Sequence, residues 1–297
     1  MKSRALEELT EETLGTLSRA GFIVEEIDYP EEGRSVDVVG RSGDKKVILK
    51  VVYDSARVSK REIEDLKKLS ATYRASVLIV SEKYWKTKME DDVVYVRNDI
   101  YVVNKNLLRD YLLKSSKPIV LNVRGNYLVR ISSKGFAKRR LELGLSRSEV
   151  ANRLNISREA VYQYETRRSM TSIQTAIKIA ELLGEDVFEE IDLLNESVFN
   201  QYDTSSESPL LNELLSLVNV RNAKLYSFTT TPVDAAIVKD EKTVSIVRLT
   251  GFSKSEIELK ADNAVKLTRV TRSTPLFIHD EMRIERIGEA LREILGE

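Results

Sequence analysis

The side chains able to do chemistry are unevenly supplied along this 297-residue chain. It has no cysteine and one histidine, His279. That removes disulfides, thiolate zinc sites, cysteine nucleophiles and histidine metal clusters, and leaves little scope for Ser-His catalysis. No cofactor and no metal are expected. What remains is a large stock of carboxylates, lysines and arginines. They sum to a formal charge of zero by cancellation: residues 1–130 carry 24 basic and 21 acidic side chains, residues 131–184 carry 10 and 5, and residues 185–297 carry 13 and 21. A phosphate backbone is drawn to the middle of the chain and repelled by its last third. The charged start MKSRALEELTEETL has no secretion segment and no run of apolar residues could span a bilayer, so a cytoplasmic protein with no membrane contact is expected.

The elements that must position the central cations read as a string of short helices. A basic helix over Gly135–Leu143 stops at Gly144, a favourable cap residue. Ser146 and Glu149 form a capping box opening a helix over Arg147–Leu154, with Val150, Ala151 and Leu154 on one side. Asn155 tolerates positive φ, and Ser157 caps the next helix, Arg158–Thr166, which buries Val161 and Tyr164. A last amphipathic helix runs over Ser172–Leu183.

The stretch LGLSRSEVANRLNISREAVYQYE, with small Ala151, the turn Asn155-Ile156-Ser157 and Glu165 closing the helix, resembles the helix-turn-helix of the Cro and phage-repressor superfamily. With its flanks the chain is similar to archaeal helix-turn-helix transcriptional regulators that carry a nuclease-like N-terminal domain. The resemblance implies a recognition helix in the major groove of double-stranded DNA, with Arg158, Glu159 and Gln163 at base-reading positions and Tyr162 beside them. Arg suits guanine, Gln suits adenine, and Glu can accept from cytosine. Arg147, Ser157, Arg167 and Arg168 would contact phosphates and fix register. Arg140 and Glu165 match an ion pair tying the first helix to the end of the recognition helix. Where the superfamily has Gln, a turn glycine and a glycine after the closing Glu, this chain has Arg147, Asn155 and Arg167. The bland alternative for the recognition-helix residues is a solvated polar surface.

From Leu6 to about Lys114 the pattern is mixed α/β: a helix to Ala20, strands over Phe22–Ile27, Val36–Gly40 and Lys46–Tyr53, a helix capped by Ser59, and an apolar strand over Val77–Val80. This order resembles the restriction-endonuclease-like core. That resemblance implies a metal held by an Asp and an acidic residue, with a Lys two residues beyond. Asp37 and Lys50 occupy the outer places, but the middle one is Ile48, and a hard cation demands oxygen ligands. The domain is therefore expected to be degenerate, with no catalytic residues, unless Glu11, Glu12 or Asp54 substitutes.

A fainter echo lies downstream. PVDAAIVKDEKTVSIVR sets Asp234 against Asp37, Arg248 against Lys50 and Ile246 against the missing ligand, and SKSEIE at Ser253 repeats SKREIE at Ser59. The expected fold class is α/β plus all-α: a nuclease-like domain (1–117), a connecting hairpin (118–132), a helix-turn-helix domain (133–194), a linker (195–209) and a second, acidic nuclease-like α/β domain (210–297) open to a protein partner. The expected function is sequence-specific DNA binding in transcription regulation by a homodimer, the nuclease-like domains acting as dimerisation scaffolds. The rivals are a metal-dependent endonuclease and an architectural DNA-binding protein.

Overall fold

A computed structural model describes residues 4–194, 223–279 and 284–296; the expected linker lies outside them. The chain divides into two compact units, Met1–Thr87 with Leu194–Glu297, and Lys88–Leu193.

The first unit begins with α1 (Arg4–Arg19), β1 (Ile23–Glu26), β2 (Val38–Ser42), β3 (Lys45–Asp54), α2 (Lys60–Tyr73) and β4 (Ser76–Tyr84). Helix α1 buries three threonines, Thr10, Thr13 and Thr16, and each hydroxyl donates back to the carbonyl four residues earlier at 2.7–2.8 Å, so no polar group is stranded. Strands β1, β2 and β3 pair antiparallel and β4 joins β3 in parallel. The run Val47–Val51 is buried throughout, as a strand covered on both faces must be. Ser59 and Glu62 close a reciprocal capping box at the start of α2, and Arg74 ends it in the left-handed region at φ 49°.

Strand β5 (Thr87–Lys88) falls on the boundary, and the second unit holds β6 (Val93–Arg97), β7 (Ile100–Val103), α3 (Lys105–Lys114), β8 (Val120–Val123), β9 (Asn126–Ile131), α4 (Ser133–Glu142), α5 (Arg147–Leu154), α6 (Arg158–Thr166), β10 (Ser169–Ser172) and α7 (Ile173–Leu183). The hairpin expected as a connector is part of a sheet ordered β7-β6-β8-β9-β10. Its two-residue turn, Arg124-Gly125, has positive φ at both positions, the geometry that matches strand twist. Parallel pairing of β6 with β8 draws residues 93–97 into the same sheet. Strand β10 leaves the end of α6 and pairs with β9, tying the helical bundle to the sheet. Phe136, Val150, Leu154, Val161, Ile179 and Leu183 form the bundle's buried core.

The chain then returns to the first unit as β11 (Lys224–Ser227), β12 (Ala235–Lys239), β13 (Lys242–Arg248), α8 (Lys254–Thr271), β14 (Thr274–Ile278) and α9 (Ile284–Leu295). Its four strands repeat the first sheet: antiparallel, antiparallel, then parallel, with the helix between the parallel pair. The repeat extends to single hydrogen bonds. Ile27 and Phe228 donate to the carbonyls of Asp37 and Asp234, which donate in turn to the carbonyls of Leu49 and Ile246. Leu49 therefore corresponds to Ile246, so Lys50 corresponds to Val247 and Ile48 to Ser245. This corrects the alignment read from the sequence, Arg248 with Lys50, by one residue. In a strand, one residue is the difference between the two faces.

Candidate nucleic-acid interface and the buried carboxylate sites

In the second unit the turn between α5 and α6 is made by Asn155 at φ 54°, whose N–H caps α5. Ser157 Oγ accepts from Ala160 N at 3.0 Å and starts α6. With Val161 buried and Tyr164 edge-on to Phe136 at 5.6 Å, the opposite face of α6 is left to solvent. Arg158, Glu159, Tyr162 and Gln163 are all exposed there. Gln163 and Glu159 touch only at 3.5 Å, a contact that a base edge can replace. Arg167 and Arg168 follow, exposed, and among the described residues neither they nor Arg158 pairs with a carboxylate.

Glu165 fixes this helix. Its side chain is 3% exposed, with one carboxylate oxygen on Arg140 and the other on Arg147 at 2.6 Å. Burial alone would raise its pKa, but hydrogen bonds and charge from the two arginines outweigh burial and hold it below the usual carboxylate range. Arg140 also donates to the Leu145 carbonyl at 2.8 Å, so the pair binds α4, the α4–α5 turn and α6 together. The Arg140–Glu165 contact is where the sequence placed it. Arg147, expected as a phosphate ligand, has its Nε on Glu165 and its guanidinium 5.3 Å from the centre of the Tyr162 ring, with the side chain 39% exposed. A residue the sequence did not single out, Ser133, holds the Arg167 carbonyl at 2.6 Å and so fixes the backbone of the basic pair.

The first unit holds the nuclease-like positions. Asp37 accepts from Arg34 Nε at 2.7 Å on one oxygen, and from Lys50 Nζ at 3.2 Å and Val51 N at 2.8 Å on the other. Lys50 also meets Glu62 at 3.1 Å and the Arg34 carbonyl at 2.6 Å, and Glu62 accepts from Ser59 N at 2.7 Å. All four charged side chains are 6–8% exposed. Two cations and two anions cancel. Ile48, on the same face as Lys50 by strand alternation, is fully buried. Asp54, one suggested substitute ligand, caps a turn instead, accepting from Ala56 N and Lys86 N at 3.0 Å; Glu11 and Glu12 are exposed on α1. The carboxylate that does approach is Glu62, which also closes the capping box of α2.

A divalent metal implied by the nuclease-like fold does not fit this cluster. Each of its carboxylate oxygens already accepts an in-chain donor, and Arg34 and Lys50 neutralise the charge a hard cation would need. Among the described residues no group of three or more His, Cys, Asp or Glu could hold a metal ion. In the second copy, Asp234 accepts from Arg248 N at 2.7 Å, the counterpart of the Val51 bond, and from Lys260 Nζ at 2.8 and 2.9 Å. Lys260 comes from α8 rather than a strand and lies 4.9 Å from the Phe252 ring centre. Both copies thus keep the aspartate and neutralise it, with a cation from different elements.

Two family models match parts of the chain. Residues 6–118 match the PD-(D/E)XK superfamily domain and residues 136–189 match the helix-turn-helix family. The chain is thus a nuclease-like α/β domain joined to a DNA-binding helix-turn-helix. It is 29% identical over 97% of its length to an Archaeoglobus fulgidus protein, covering 92% of that protein, and 26% identical over 98% to one from Pyrococcus furiosus, covering 90%. A protein of Aeropyrum pernix is 32% identical over 56% of the chain and 52% of its own length. Each is named "Putative HTH-type transcriptional regulatory protein", and the chain is similar to these archaeal proteins. No solved structure matches. No helix of the described residues is long and apolar enough to cross a membrane.

Proposed function

We propose that the protein is a sequence-specific, cytoplasmic DNA-binding transcription regulator whose helix α6 enters the major groove. The observation that carries this reading is the exposed row Arg158, Glu159, Tyr162 and Gln163 on a helix anchored by the doubly paired Glu165. Arg158 and Gln163 read base edges; Ser157, Arg167 and Arg168 hold phosphates; Arg147 positions Tyr162 and Glu165 while keeping some reach toward the backbone. Two chains sit on a palindromic site, since one such helix reads too few base pairs alone. The acidic C-terminal segment offers a surface to a protein partner rather than to DNA.

The nuclease-like copies are catalytically silent scaffolds. The buried Arg34–Asp37–Lys50–Glu62 cluster supports this over the endonuclease alternative, because catalysis through a hard cation needs carboxylates with charge to spare. Selection of bound fragments from a random DNA pool tests the reading. Enrichment of a short motif supports a sequence-specific regulator, whereas uniform retention of all sequences supports an architectural protein.

A further inference from the structure

We infer that the C-terminal copy is the built-in dimer partner of the N-terminal copy, paired with it in cis across a pseudo-two-fold axis. The two copies contact each other reciprocally. Helix α2 lies against β11 and β12, while α8 lies against β1 and β2. An isologous interface has a defining test: if residue i touches j, the equivalent of i touches the equivalent of j.

One pair of contacts meets that test residue for residue, and a second meets it element for element. Counted back from the left-handed cap residues Arg74 and Arg272, Asp65 and Asn263 occupy the same helix position. The Ile27–Phe228 correspondence makes Asp28 equivalent to Thr229. Asp65 Oδ2 accepts from Thr229 N at 2.9 Å, and Asn263 Oδ1 accepts from Asp28 N at 2.7 Å. The cap residues behave alike: Arg74 donates to the Asp240 carbonyl at 3.2 Å and Arg272 to the Asp44 carboxylate at 3.3 Å, each in the hairpin turn of the other copy. Elsewhere in the joint Tyr73 OH meets Ser245 Oγ at 2.9 Å, and Ser35 meets Thr230 through its backbone, at 2.8 Å, and through its hydroxyl.

The joint is buried as a permanent interface is. Asn263, Ser35 and Ser245 are 0% exposed and Asp65 1%. The Asp65 carboxylate also takes Thr230 N at 2.7 Å and the hydroxyls of Thr229 and Thr230 at 3.2 and 2.6 Å. A carboxylate this deep, with four donors converging on its Oδ2, specifies one register of pairing. The face that would join two identical domains between chains is therefore filled from within the chain. Two chains that meet on DNA must do so through other surfaces. This goes beyond the proposed function and does not depend on DNA recognition.

The chain's lack of cysteine gives a clean test on the full-length protein. Ser35→Cys with Thr230→Cys should oxidise to a disulfide within one chain, migrating at monomer mass without reductant. Ser35→Cys and Asn263→Cys, made singly, should resist a maleimide until the protein is unfolded, with at least about tenfold slower labelling than in denaturant. A disulfide between two chains would show that the pairing is exchanged in trans. Absence of the disulfide, or single cysteines that label at the denatured rate in folded protein, would show that the two faces do not meet. Each of these outcomes overturns the inference, and none bears on whether α6 reads DNA.

Discussion

Replacing Asp37 with Asn separates a structural aspartate from a catalytic one. In the folded protein Asp37 faces Arg34 and Lys50, both 8% exposed, and accepts from Val51 N. An amide keeps the shape and one acceptor but removes the charge, leaving two buried cations against the single carboxylate of Glu62. Removing one partner of a buried pair costs about 3–5 kcal/mol, and the retained acceptor favours the lower end, about 3 kcal/mol. For a unit of this size that is a loss of roughly 6–12 °C in Tm. Thermal unfolding of the full chain by circular dichroism reads it directly, and a cycle with Lys50→Met should give less than the sum of the two single effects. An unchanged or raised Tm would refute the reasoning, because active-site carboxylates held for catalysis are commonly a burden on stability. So would magnesium-dependent plasmid nicking by the unaltered protein that Asp37→Asn abolishes.

Glu165→Gln should lower stability at neutral pH and flatten its acid dependence. Because the folded pKa of Glu165 lies below its unfolded value, its contribution is present above about pH 4.5 and lost as pH falls through the folded pKa, so urea midpoints at pH 7 and pH 3.5 should converge in the variant. Arg140→Ala and Glu165→Ala should couple by about 1–3 kcal/mol in a double-mutant cycle read by chemical denaturation; additive effects would mean the pair is not made in solution. Ile48→Glu places a carboxylate in a fully buried position beside a neutralised cluster and should destabilise by about 3 kcal/mol, with calorimetry showing no recovery in millimolar magnesium.

Much of the DNA-reading bundle was legible because its signals are local. Ser146, Ser157 and Asn155 cap and turn by their own side-chain chemistry, and α5 and α6 begin and end where those residues dictate. Strands β6 and β7 were not legible: their turn uses Asn98 and Asp99 at positive φ, without glycine or proline to mark it. Strand β10 is Ser-Met-Thr-Ser, which has no apolar alternation and exists because β9 lies alongside. Arg147 read only as a phosphate contact, since nothing in its own neighbourhood announces its bond to Glu165, a residue on another helix. Asp37 and Lys50 were found through the resemblance to the nuclease motif, but Arg34 and Glu62, which complete the cluster, are brought in by a loop and a helix that a motif along the strands does not reveal. The repeat was visible as an echo, and only strand register fixed its alignment.

The central claim is that α6 reads sequence, and Arg158 is its most exposed commitment. Arg158 stands at the first turn of the helix, exposed and without a carboxylate partner among the described residues, so replacing it with Ala removes little that the fold needs. Binding of the unaltered protein and Arg158→Ala should be measured by fluorescence anisotropy on the selected site and on random DNA, at several salt concentrations. The account predicts a loss of about 1–3 kcal/mol on the selected site, concentrated at one base pair, a much smaller loss on random DNA, and a salt slope lower by at most about one. Equal affinities of the two proteins on both DNAs would contradict it.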